Sequence, residues 1–133
     1  MTDCRSVVDI VSKSWGFEKQ IINTDKYCGK LLYIVKGKNT SMHYHKAKDK
    51  TFFVHSGKVT LFYSSDHQEI NKHITSFGDR GLYRCVHQFT LNPGDNFRLQ
   101  PGSVHQIFAL EDTQLYEFST THDKNDTVRF EGV

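Results

Sequence analysis

The chain is poor in the features that mark several large protein classes. Its three cysteines, Cys4, Cys28 and Cys85, are an odd number without metal-site spacing. They argue against a disulfide framework and for reduced thiols in a cytosolic protein. The N-terminus has no apolar stretch of the kind a secretory leader carries, and no apolar run approaches the length of a membrane span. The formal net charge is only +2. Lys and Asp are interspersed along the chain, which leaves no basic patch for nucleic acid or an anionic membrane surface. No segment has the pattern of a long helix, and internal repeats and low-complexity tracts are missing as well. The expectation is a soluble, cytoplasmic protein with neither nucleic acid nor membrane as a partner.

What is present is aromatic and β-branched. With 133 residues, 37% of them hydrophobic, the chain can bury one modest core. Ten Phe and six Tyr suit the inward face of a β-rich barrel. Strands are expected at residues 16–23, 30–36, 51–55, 58–63, 85–91, 97–99, 104–110 and 114–119, divided by turn signals such as Ser56-Gly57 and Asn92-Pro93-Gly94-Asp95. Residues 64–81, rich in Ser, Asp, Asn and Lys, read as a surface loop or ragged hairpin. Residues 1–14 read as an extended apolar arm, 15–120 as the barrel and 121–133 as a tail.

Two stretches carry candidate chemistry. His43 and His45 are one residue apart. In a strand they face the same way about 7 Å apart, close enough to turn onto one metal ion. A third imidazole, His105, closes the segment that runs from Gly94. Gly37, His43, His45 and Gly57 fall at the spacing of one known motif, and Gly94, Gly102 and His105 at that of a second.

Together these motifs resemble those of the cupins, which implies an all-β fold, the double-stranded β-helix or jelly-roll barrel. The likeness also has gaps: Lys50 stands where the first motif has Glu, Gln100 where the second has Pro, and Ala109 where it has Asn. A narrower resemblance runs through Trp15-Gly16-Phe17-Glu18, Gly29-Lys30-Leu31-Leu32, Ser41-Met42-His43-Tyr44-His45, Glu117-Phe118-Ser119-Thr120 and Asp126 to Glu131. These segments are similar to the mannose-6-phosphate isomerase-like cupins. That likeness implies a phosphate-binding role for Lys30.

His43, His45 and His105 are therefore the candidate ligands for one divalent transition metal, and three imidazoles with open water positions suit Zn, Mn, Ni or Fe. With ordinary imidazoles, metal affinity is expected to fall as pH drops through ~6.5. His55 and His87 lie in expected strands, His55 on the face opposite Lys50 as a packing or surface residue, and His67, His73 and His122 read as solvent-exposed. Lys50 cannot ligate as an ammonium; either it swings to the rim as a solvated charge or it points inward towards a ligand. Glu117 lies in an apolar strand, where an unpaired carboxylate is costly. It is either a general base or the ion-pair partner of Lys50 or Lys30. Trp15 reads as core or interface.

Three functions compete at this point. The first is a metal-dependent isomerase or epimerase of a sugar or sugar phosphate, with Lys50 and Glu117 as catalytic candidates. The second is a binding or assembly module that has lost the motif carboxylate, and the third an iron oxygenase. The arm and the aromatic strands on so small a barrel imply a two-fold homodimer.

Overall fold

The computed structural model describes residues 2–66 and 87–130. Eleven strands carry these residues: β1 (Asp9–Lys13), β2 (Gly16–Asn23), β3 (Cys28–Ile34), β4 (His43–His45), β5 (Lys50–Ser56), β6 (Val59–Ser64), β7 (His87–Leu91), β8 (Asn96–Leu99), β9 (Val104–Ala109), β10 (Thr113–Ser119) and β11 (Thr127–Arg129). They form two antiparallel sheets, one ordered β1-β2-β3-β10-β5-β8 and the other β11-β4-β9-β6-β7. The result is the jelly-roll barrel expected from the motifs. A 3-10 turn at Lys124–Asp126 is the one helical element among the described residues, and no described helix is long and apolar enough to cross a membrane. His67, His73, Cys85 and most of the expected surface loop lie outside the described residues.

Strict alternation sets the inward face. In β3 the buried residues are Cys28, Lys30, Leu32 and Ile34; in β5 they are Lys50, Phe52 and Val54; in β10 they are Thr113, Leu115 and Glu117. Register then sorts this face along the barrel. Leu115 pairs with Leu32 on one side and Val54 on the other, in the apolar part of the core that Trp15, Leu61, Ile107 and Leu99 complete. One step further along β10, Glu117 pairs with Lys30 and lies diagonally from Lys50. The same alternation that builds the core thus delivers three charged side chains to one end of it.

Two terminal segments extend the sheets. β1 pairs with β2 along its length but exposes Ile10 and Val11, as the segment before it exposes Val7 and Val8. The C-terminal segment folds back so that Thr127 and Arg129 pair with His45 and His43. The sequence did not suggest this strand.

Gly16 starts β2 at φ +146, and a Cβ there would sit 1.9 Å from the Tyr33 carbonyl oxygen. Because that neighbour is backbone in a paired strand, it cannot move aside. Gly16→Ala is expected to cost at least ~2 kcal/mol of unfolding free energy, measured by urea titration.

Candidate active site

The second sheet assembles the histidines. β4 and β9 pair with His43 opposite His105, and His45 follows two residues on along the same strand. One ligand atom from each ring lies within 4.8 Å of the others. The outer nitrogens are all engaged. His43 Nδ1 is 3.0 Å from the Ser41 carbonyl, His105 Nδ1 is 3.2 Å from the Ser103 carbonyl, and His45 Nδ1 is 3.1 Å from the Thr127 hydroxyl. A carbonyl can only accept, so His43 and His105 carry their protons on Nδ1 and present a lone pair from Nε2. The Nε2 atoms of His45 and His105 are buried with no hydrogen-bond partner. A buried acceptor without a donor is costly, and a shared cation satisfies both. Three neutral imidazoles held through their outer nitrogens fit a first-row divalent metal.

The electrostatics of this cluster differ from those of free imidazole. Burial, reinforced by the nearby Lys50 charge, lowers His43 to about 3 and His45 to about 2. It pushes His105 well below the ordinary value as well. The expected loss of metal affinity near pH ~6.5 therefore does not apply here, because the ligand nitrogens stay neutral far below that pH.

The first sheet contributes a buried charge network. Lys50 does not swing to the rim: it is buried, with Nζ 3.2 Å from Glu117 Oε1. Lys48, which no local sequence pattern marks, places Nζ 2.7 Å from the other oxygen, Glu117 Oε2. Lys30 sits opposite Glu117 in register but pairs with Glu18 at 3.0 Å. Burial alone would raise the Glu117 carboxyl, but the ammonium groups of Lys50, Lys48 and Lys30 overcome this and hold it well below the usual carboxylate range. Burial brings Lys50 down to about 8 despite the attraction of Glu117.

His122, expected on the surface, is half-buried instead. Its Nδ1 lies 3.2 Å from Lys48 Nζ and 3.4 Å from Lys30 Nζ. Burial, with those two charges, lowers it to about 4, so it accepts from the lysines as a neutral ring. His55 is exposed, as expected for a packing or surface position, and so is His87. Trp15 is a core residue and also lines the pocket.

The histidines, the three buried lysines, both glutamates and His122 line one pocket of about 630 Å³. That volume is within the usual range for small-molecule sites.

The D-lyxose isomerase family model matches residues 13–132. The D-lyxose/D-mannose isomerase of Thermosediminibacter oceani is 32% identical over 110 residues, covering 77% of this chain and 60% of that protein. The D-lyxose ketol-isomerase of Cohnella laeviribosi is 29% identical over 107 residues, covering 75% and 59%. The chain thus spans about three fifths of the length of these relatives. Among solved structures, KdgF from Halomonas sp. superimposes with a TM-score of 0.67 at 16% identity, covering 88% of this chain and 91% of that one. An RmlC-like cupin from Shewanella frigidimarina gives a TM-score of 0.67 at 13% identity, covering 93% and 96%. At these identities the likeness speaks for the cupin fold alone.

Proposed function

This chain belongs to the D-lyxose isomerase family, and from that premise we propose that it interconverts an aldose sugar and its ketose. The observation that carries this reading is the pairing, in one pocket, of three neutral imidazoles with a buried Lys–Glu–Lys cluster. A divalent transition metal held by His43, His45 and His105 would polarise the sugar's carbonyl and neighbouring hydroxyl.

The remaining chemistry is proton movement between adjacent carbons. Glu117 is a poor base, because two ammonium groups stabilise its ionised form. Lys50 suits the task better. Its ammonium titrates near about 8, so a usable fraction is free amine at neutral pH, and a nearby dication would lower it further. Lys50 takes the proton from the hydroxyl-bearing carbon beside the carbonyl and returns it to the former carbonyl carbon, while the hydroxyl proton passes to the former carbonyl oxygen. Glu117 fixes the direction of the amine, and Lys48 holds Glu117 from its other oxygen.

Lys50→Met is expected to lower kcat by about 10²–10⁴-fold with little change in KM. Running the reaction in D2O tests the step itself. Ketose carrying solvent deuterium supports proton transfer through Lys50, whereas ketose formed without any deuterium contradicts it.

A second reading rests on the same ion pair. With Lys50 tied to Glu117 in place of the motif carboxylate, the pocket suits a sugar-binding module without turnover. Binding of sugar with no ketose formed, in metal-loaded protein, would favour it. Either way, the exposed apolar side chains of Val7, Ile10 and Phe118 support a homodimer in which a second copy covers them.

A further inference from the structure

We propose that the pocket is built for a sugar bearing an anionic substituent, a phosphate or a carboxylate, in preference to a neutral sugar. This rests on the isomerase reading and adds the class of substrate to it.

Charge is unevenly placed in this molecule. Six cationic side chains line the pocket against two carboxylates, while the whole chain carries a net charge of only +2. The pocket therefore holds more positive charge than the molecule as a whole, and the excess belongs to this cavity rather than to a generally basic surface. Three of the six are the buried lysines of the charge network. The other three, Lys13, Lys124 and Arg129, are exposed at its edge. Among the described residues none of these three has a carboxylate partner. Among the described residues the Arg129 guanidinium donates to the Ser41 hydroxyl. Counting Lys50 as a free amine still leaves five cations facing two carboxylates, and a bound metal would add to the imbalance.

The hydrogen-bond inventory of the pocket points the same way. A neutral sugar presents hydroxyls that both donate and accept, so its sites need acceptors as well as donors. Both oxygens of Glu117 and one of Glu18 already accept from buried ammonium groups, and His122 Nδ1 is taken by two more such contacts. What is left is rich in donors, and ammonium and guanidinium groups have no acceptor atoms at all. Donor excess beside uncompensated positive charge is the chemistry that recognises a phosphate or carboxylate.

The test compares binding of D-mannose, D-mannose 6-phosphate, D-mannuronate and inorganic phosphate to the intact protein by calorimetry. One of the two anionic sugars is expected to bind at least tenfold more tightly than D-mannose, and the two arms tell phosphate from carboxylate. The advantage should shrink steeply as salt is raised, and most of it should vanish in a Lys13→Ala/Lys124→Ala variant whose fold is verified by circular dichroism. Equal or tighter binding of D-mannose would overturn the proposal. So would inorganic phosphate binding as tightly as the sugar phosphate, or an advantage unchanged in the double variant. Turnover of D-mannose without any preference for the charged sugars would sink this proposal and leave the isomerase reading standing. Tight binding of a charged sugar with no ketose from any of them would do the reverse.

Discussion

Glu117→Gln will destabilise the fold by roughly 3–5 kcal/mol, the cost of leaving a buried charge without its partner. The substitution is nearly isosteric, so packing is not what is lost. Glu117 is the only carboxylate among the described residues within ion-pair distance of Lys48 and Lys50, and both lysines are buried. An amide oxygen can accept one of their hydrogen bonds but cannot offset two positive charges in a medium of low dielectric. The same reasoning predicts the rescue. Adding Lys48→Met and Lys50→Met to Glu117→Gln removes the stranded charges and should recover most of the lost stability, because apolar replacement of a whole buried ion cluster is often neutral. Denaturant titration of the single and triple variants reads both effects. A single variant as stable as the wild type would mean that water reaches the cluster.

Acid should have an effect of similar size on metal-free protein. His43, His45, His105 and His122 all have folded-state pKa values below that of free imidazole. Between pH ~6.5 and ~4.5 the unfolded chain therefore binds protons at these rings that the folded chain refuses, so stability falls as pH falls. Each unit of pKa difference is worth about 1.4 kcal/mol. The rings titrate as a coupled set rather than independently, so a total loss of roughly 3–6 kcal/mol across that window is reasonable, which is comparable to the whole stability of a small domain. A metal bound to the folded form opposes this by mass action. Thermal melts at pH ~7 and ~4.5, with and without one equivalent of divalent metal, test the prediction against the ordinary imidazole range. Melting temperatures that match at both pH values without metal would contradict it.

Much of the barrel was legible because its strands alternate. In β3, β5 and β10 every second residue is buried, and that period is visible in the letters alone. The β2 boundaries at Gly16 and Asn23 coincide with the expectation, and most others shift by a residue or two. The three imidazoles were legible for a related reason: two lie on one short strand, and the third closes a turn signal. The narrower family was not. The segments that resemble mannose-6-phosphate isomerase-like cupins lie in a chain that matches the D-lyxose isomerase family.

Lys48 and His122 escaped because nothing local marks them. Lys48 stands just before β5, and only its spacing of two from Lys50 hinted that both could face the same way. His122 reaches the pocket because β11 folds back onto β4, a pairing between segments some eighty residues apart that no local pattern encodes. The Lys50–Glu117 pair was the easier case, since an acid and a base in two apolar strands need each other once both face inward.

The central claim is that His43, His45 and His105 hold a metal that the isomerisation requires. Its most direct test is to strip the protein with a chelator, titrate in manganese or zinc, and follow ketose formation from D-lyxose, D-mannose and D-mannose 6-phosphate. The account predicts no turnover in the stripped protein, recovery that levels off at one ion per chain, and no recovery in His105→Ala. Turnover that survives chelation, or that returns equally in His105→Ala, would contradict it.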